Sequence, residues 1–390
     1  MKTIIAVTTT SSSNILPGER TRVPFLDLSQ TYRELKPQLD AAYQRVMNSG
    51  RYVLGEELEA FETEFAAFCG AGSCAGVANG LEALTLILRA YGIGPGDEVV
   101  VPSHTFIATW LAVTHAGAVP VPVEPLQRTF NIDPGKIEAV VTARTRAVIA
   151  VHLYGQPAAM DAIAEVAARH GLRVIEDAAQ AHGARWQGRT AGNLADAAAF
   201  SFYPAKNLGA YGDAGAVVSD DPDLMARVRR LRNYGAAEKY DHDAAGFNCR
   251  LDPLQAAFLR IRLGCLRDWN SRRASIAQTY LQSLSAVRGC TVPQVAPSCD
   301  PSWHLFVIRH RERDALRAWL AREGIETLIH YPIPPHLSGA YAELGYSPGA
   351  LPISEQLAHE VLSLPIGPHL DNASVERVIQ AMAAYEVCGE

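Results

Sequence analysis

The sequence predicts a layered α/β domain on a mostly parallel sheet, followed by a smaller C-terminal domain. Three observations carry this. Short runs that are apolar on both faces suit strands of a sheet covered on both sides. Helical patterns alternate with those runs, as α/β layers require. The chain has 390 residues, 48% of them apolar, enough for two or three domains and a sizeable core.

The elements follow in order. Residues 1–20 read as a mobile tail, because Ile4-Ile5-Ala6-Val7 is too short for the apolar stretch of a signal peptide. A helical pattern covers 33–48, and a second opens at Gly80 and runs to Tyr91. Strands are predicted at Glu98–Pro102 and Val119–Val123, with a helix at Phe106–Ala116 between them. The strand Ala147–Val151 precedes a helix at Met160–His170, which is apolar at Ile163, Val166 and Ala167 and is ended by Gly171. Strands follow at Arg173–Asp177, Ala198–Ser201 and Gly215–Ser219. The layered region spans about 70–255, inside a large domain assigned to 21–255. Leu251–Leu266 reads as a long helix leading into a small α/β domain, 256–390. Tyr280–Leu284, Trp303–Arg309, a proline-rich turn at 332–335 and a helix near 374–386 fill that domain, with its topology left open.

Charge and cysteine content narrow the function. A net charge of −6 and a pI near 6.1 argue against a general nucleic-acid or anionic-membrane surface. No window approaches 18 uninterrupted apolar residues, so no membrane span is expected. Seven scattered cysteines without a CxxC pair fit a reducing cytoplasm and support neither a metal site nor a disulfide framework.

The chemistry centres on Lys206, one of five lysines. It lies behind Ser201-Phe202-Tyr203-Pro204-Ala205, directly after the apolar run 197–200. Burial there favours the neutral amine, the form that attacks carbonyls; taken alone, the same residue also reads as a lysine snorkelling to solvent. Ligands of open α/β sheets bind beyond the carboxyl ends of the strands. Asp177 and Ser201 end strands, and Asn79-Gly80-Leu81 opens a helix whose N–H groups and dipole suit a phosphate. Separately, the Asp is equally a helix cap and Asn-Gly equally a turn. Together they match pyridoxal 5'-phosphate, which needs an amine, an acid beside its ring nitrogen and an anion cradle.

Four segments then resemble the DegT/StrS sugar aminotransferases, fold-type I pyridoxal-phosphate enzymes. They are Val77-Ala78-Asn79-Gly80-Leu81-Glu82-Ala83-Leu84, Pro102–Thr109, Ile175–Gly183, and the lysine segment with Gly212–Ala216; the resemblance runs from about Pro24 to the C-terminus. It implies that Lys206 forms a Schiff base with the cofactor and that Asp177 pairs with the pyridinium nitrogen. It implies that Phe106 stacks on the ring, with Gln180 near the ring hydroxyl. Ser201 and the amides of Gly80 and Leu81 hold the phosphate. Asn248 is similar to a residue supplied by a neighbouring subunit, which makes a homodimer with shared active sites the expected assembly. Leu81 departs from the Thr or Ser common in the family, leaving only the backbone donor. A branch with histidine at the lysine position performs dehydration, and Lys206 excludes it.

The segment His104–Ala112 is similar to that of 3-aminotransferases acting on nucleotide-linked 3-keto-6-deoxyhexoses, with glutamate as donor. Arg232, Tyr234, Arg250, His330 and Tyr331 are candidate contacts for the nucleotide sugar. A 4-keto sugar aminotransferase, an amino-acid aminotransferase and a non-catalytic sensor of the same fold remain alternatives.

Overall fold

The computed structural model describes residues 22–238 and 240–388; the expected tail at 1–20 lies outside them. A seven-stranded sheet organises the large unit. Its spatial order is Ser73–Val77, Gly215–Ser219, Ala197–Ser201, Arg173–Asp177, Thr145–Val151, Glu98–Pro102 and Val119–Val123. Neighbours from Ala197–Ser201 to Val119–Val123 run parallel. Gly215–Ser219 runs antiparallel to both of its neighbours. The sheet is therefore mostly parallel, and the ends of the strands at Val77, Pro102, Asp177 and Ser201 lie along one edge.

Alternate residues of each strand feed opposite cores, which is why the runs are apolar throughout. One face carries Val100, Val148, Val174, Phe200 and Val218 against Phe61, Phe65 and Ile163. The other carries Val99, Val101, Ile149, Ile175 and Val217 against Leu84, Ile87, Trp110 and Val113. Fully burying such side chains contributes about 1.5–3 kcal/mol each.

Two elements escape the sequence patterns. The strand Ser73–Val77 consists of small residues with a single β-branched one, so its propensity is weak. The helix Glu56–Cys69 packs Phe61 and Phe65 beneath the sheet. The first helix begins at Leu28, five residues before the expected start at 33. Asp27 caps it by accepting from the Ser29 N–H at 2.9 Å, and it continues through Pro37.

The helix Pro253–Leu284 is 32 residues long, and it crosses the expected domain boundary at 255 without a break. Its last turns join a third core with Phe306, Ile308, Leu316, Leu320, Leu362 and Met382. Within that core Phe306–His310 is a strand, paired antiparallel with Val361–Leu364. The final helix, Asn372–Cys388, encloses the one expected near 374–386.

Candidate active site

The strand ends enclose a cavity of about 510 Å³. Lys206, Asp177, Asn79, Gly80, Leu81, Phe106, Gln180, Ser201 and Tyr331 all line it. Sequence positions between 79 and 331 are thus brought to one site by the parallel strands.

Asp177 is buried at the cavity floor. Thr109 Oγ1 donates to its Oδ2 at 2.8 Å, and the Ala179 N–H donates to Oδ1 at 3.3 Å. Thr105 and Thr109 share a hydroxyl–hydroxyl bond of 3.0 Å behind that contact. Burial raises the pKa of Asp177, and these donors with Lys206 oppose it only in part. The preceding residue, Glu176, is fully buried. Its carboxylate accepts from the Gly192 and Leu194 N–H groups at 2.8 and 2.7 Å and meets His152 Nε2 at 2.9 Å. Those bonds fix the end of the strand that presents Asp177.

Lys206 is partly open to the cavity, yet burial lowers its pKa to about 8. The lysine turn is closed by its N–H donating to the Tyr203 carbonyl at 2.8 Å. Asp177 acts in the other direction on the amine by attraction, and burial outweighs it.

Asn79 caps the helix Gly80–Ala90, its side chain accepting from the Glu82 N–H at 2.9 Å. A Cβ on Gly80 would lie 2.8 Å from Ser201 Cβ. Only glycine lets the helix start come this close to Ser201, so the two form an N–H and hydroxyl cradle that a side chain would fill. On the opposite strand, a Cβ on Gly215 would lie 2.4 Å from the Asn79 carbonyl carbon. That close approach sets the height of the helix start above the sheet.

Gln180 is held at both ends. Its Oε1 accepts from the Tyr154 N–H at 2.6 Å, and its Nε2 donates to the Tyr331 hydroxyl at 3.1 Å. The rings of Phe106 and Tyr331 lie 5.4 Å apart, and Phe106 is 53% exposed. An exposed aromatic at a cavity mouth offers a face for a planar ligand.

The other candidates lie elsewhere. Arg232 is buried away from the cavity, pairs with Glu62 and donates to the Gly76 carbonyl at 2.8 Å. These bonds occupy it in joining the strand Ser73–Val77 to the helix Glu56–Cys69, so it is not free for a substrate phosphate. Tyr234 and Asn248 are exposed and do not line the cavity. The Arg250 guanidinium lies 5.3 Å from the Tyr234 ring centroid and donates to Asn233 Oδ1 at 2.9 Å. His330 approaches from its backbone side: its carbonyl accepts from the Tyr154 hydroxyl, and its Nδ1 pairs with Ser363 Oγ at 2.8 Å. Burial pulls the pKa of His330 down to about 4, so it is neutral. Thr109 and Tyr154 are the site residues that sequence reasoning missed. Thr109 lay inside a motif without a partner in view, and Tyr154 gave no local signal.

The residues fit pyridoxal phosphate. At the helix start a side chain on Gly80 would run into Ser201, so glycine leaves the first N–H groups open beside that hydroxyl, as an anion requires. The carboxyl of Asp177 is destabilised as an anion by burial, a cost that a cationic ring nitrogen offsets. The amine of Lys206 opens into the same space.

Comparison with known proteins gives the same reading. Residues 34–383 match the profile of the DegT/DnrJ/EryC1/StrS aminotransferase family. The chain is 56% identical to the dTDP-3-amino-3,4,6-trideoxy-alpha-D-glucose transaminase of Streptomyces venezuelae, covering 94% of this chain and 97% of that one. It is 55% identical to the erythromycin biosynthesis sensory transduction protein EryC1 of Saccharopolyspora erythraea, over 93% and 99% of the two chains. The crystal structure of S. venezuelae DesV with a ketimine intermediate superposes with a TM-score of 0.92 at 56% identity, over 94% of this chain and 98% of that chain. The architecture is that of fold-type I, and the cofactor is pyridoxal 5'-phosphate. With its fold, its cavity and these relatives in agreement, the chain is an enzyme that belongs to the DegT/DnrJ/EryC1/StrS aminotransferase family.

Proposed function

We propose that this enzyme moves the amino group of L-glutamate to a nucleotide-linked 3-keto-6-deoxyhexose, with dTDP as the nucleotide, giving a 3-amino sugar and 2-oxoglutarate. The observation that carries this reading is the placement of Lys206 and Asp177 in one cavity, in a chain 56% identical to a dTDP-3-amino sugar transaminase. A 4-keto substrate is the alternative within the same chemistry.

When bound, pyridoxal phosphate supplies an aldehyde that joins amines and a ring that accepts the electrons left by a departing proton. Lys206 Nζ is the base. Its pKa of about 8 leaves a useful neutral fraction near neutrality, so Nζ would take and carry the α-proton of glutamate. Asp177 keeps negative charge at the cavity floor, where Thr109 orients it. The N–H groups of Gly80 and Leu81 and the Ser201 hydroxyl would hold the phosphate at the positive end of the helix. Gln180, held by Tyr154 and Tyr331, would lie near the ring hydroxyl, and Phe106 would cover the ring face and exclude water. Tyr331 borders the sugar side, with His330 behind it, while Tyr234 and Arg250 lie nearer the surface as contacts for the nucleotide.

Asn248 completes the site of a second copy, so the working unit is a homodimer in the cytoplasm. The division into 21–255 and 256–390 is functional on this reading: the first part holds the cofactor and the second borders the sugar.

One observation favours a second reading, the name sensory transduction protein carried by EryC1. Adding glutamate to the cofactor-loaded enzyme separates the two. An aminotransferase converts its visible band to the pyridoxamine form; a sensor leaves it unchanged. The pyridoxamine form is then offered 3-keto and 4-keto dTDP and UDP hexoses. Return of the original band with the dTDP-3-keto sugar alone is the expected result, and return with only a 4-keto sugar overturns the position assigned.

A further inference from the structure

The residue after the lysine places its whole side chain inside the protein. Asn207 is only 4% exposed. Its Nδ2 donates to the Ser302 carbonyl at 2.7 Å and to Asn270 Oδ1 at 2.9 Å. Its Oδ1 faces His304 Nδ1 at 3.2 Å. Two acceptors around one end of the amide identify that end as the nitrogen. The oxygen must therefore accept, and His304 carries its proton on Nδ1.

The partners extend this grip. Asn270, on the helix Pro253–Leu284, passes its own Nδ2 to the His182 carbonyl at 2.7 Å. Ser302 Oγ donates to the Gln180 carbonyl at 3.1 Å, and the Ser302 N–H donates to the Gly155 carbonyl at 2.9 Å. One amide thus joins the lysine turn, the long helix and the segment 302–304 that leads into the strand Phe306–His310. Through Asn270 and Ser302 it also reaches the loop that carries Gln180.

We propose that Asn207 is a positioning residue for Lys206, and that the Nδ1–H of His304 is the contact that holds it. This rests on the role given to Lys206 above. Asn207 touches no reacting atom; it acts through the peptide it shares with the lysine. A lysine side chain is long and flexible, so Nζ is directed only as well as its backbone is held. Displacing a reacting group by about 1 Å costs about a hundredfold in rate. A role in packing alone would lower the melting temperature and leave the folded enzyme's chemistry intact.

The test uses full-length, cofactor-loaded enzyme and four variants: Asn207→Ala, His304→Leu, His304→Asn and Lys206→Ala. Asparagine is the conservative replacement because its amide nitrogen reaches the position of Nδ1. Each is measured for the single-turnover rate with glutamate, the KM for glutamate, the visible circular dichroism of the cofactor and the melting temperature. Asn207→Ala and His304→Leu should slow the chemical step by about ten- to a hundredfold with KM changed less than about threefold, and should alter the dichroism. His304→Asn should recover most of the rate lost in His304→Leu. Wild-type rate and dichroism in Asn207→Ala overturn the proposal. So does equal slowing in both His304 variants, which remains decisive if Asn207→Ala does not fold. Turnover retained in Lys206→Ala defeats the lysine's role itself; its loss beside a normal Asn207→Ala defeats only the positioning role.

Discussion

Lys206 and Asp177 share one cavity and have pKa values displaced in opposite directions from those of exposed groups, both chiefly because of burial. In cofactor-free protein, Lys206 should acylate with a midpoint near pH 8, read by mass spectrometry of its peptide. A midpoint near 10.5, the ordinary value, contradicts the environment described. The same shift has a stability consequence. The folded state holds the proton on Lys206 less tightly than the unfolded chain, so the unfolded chain binds more protons between about pH 8 and 10.5. Stability contributed by this group therefore rises with pH across that window. Relative to Lys206→Met, the cofactor-free wild type should gain stability from pH 8 to 10.5, measured by denaturant titration at each pH. Asp177→Asn should still take up cofactor, while proton abstraction slows by orders of magnitude. A wild-type rate with glutamate in that variant counts against the role of Asp177.

At the scale of elements, the site depends on how closely backbones approach. Gly215→Ala drives a Cβ into the Asn79 backbone, which has no rotamer to yield with. It should cost about 1–3 kcal/mol in urea unfolding and weaken cofactor affinity together, because the same contact sets the phosphate helix. Loss of stability with unchanged affinity would show that the helix start is positioned by something else. Arg232 makes the opposite case. Arg232→Ala leaves Glu62 buried without its partner and should cost about 3–5 kcal/mol. The KM for the nucleotide sugar should stay near the wild-type value; a large rise would return Arg232 to the substrate site. Sequence reasoning placed Arg232 near substrate because arginines suit phosphates. Its actual partner, Glu62, is 170 residues away in the chain, and no local pattern announces such a pair.

For the whole molecule, the proposed shared active sites make a direct prediction. Lys206→Ala chains mixed and reassembled with Asn248→Ala chains should regain activity, up to about one quarter of wild type. Half of a random mixture is mixed dimers, and each mixed dimer has one site with both residues intact. No recovery would place Asn248 in the service of its own chain. The long helix Pro253–Leu284 bears on domain behaviour as well. It runs from the sheet-bearing unit into the third core without a break, so a cut at 255 exposes apolar surface on both sides.

Local pattern by itself determined the strands Glu98–Pro102, Val119–Val123, Arg173–Asp177 and Gly215–Ser219, to the residue. Strands buried on both faces are written as continuous apolar runs, and the turns between them carry their own signals. The lysine, the acid and the phosphate turn, each read from adjacent residues, also pointed to the cofactor, and the resemblance of four segments to a known family implied the family. Tertiary structure alone decided which side chains meet. Thr109 on Asp177, His152 on Glu176, Glu62 on Arg232 and His304 on Asn207 are all contacts between distant segments. Their energies arise from burial and hydrogen-bond geometry that exist only after the sheet has brought the strand ends together.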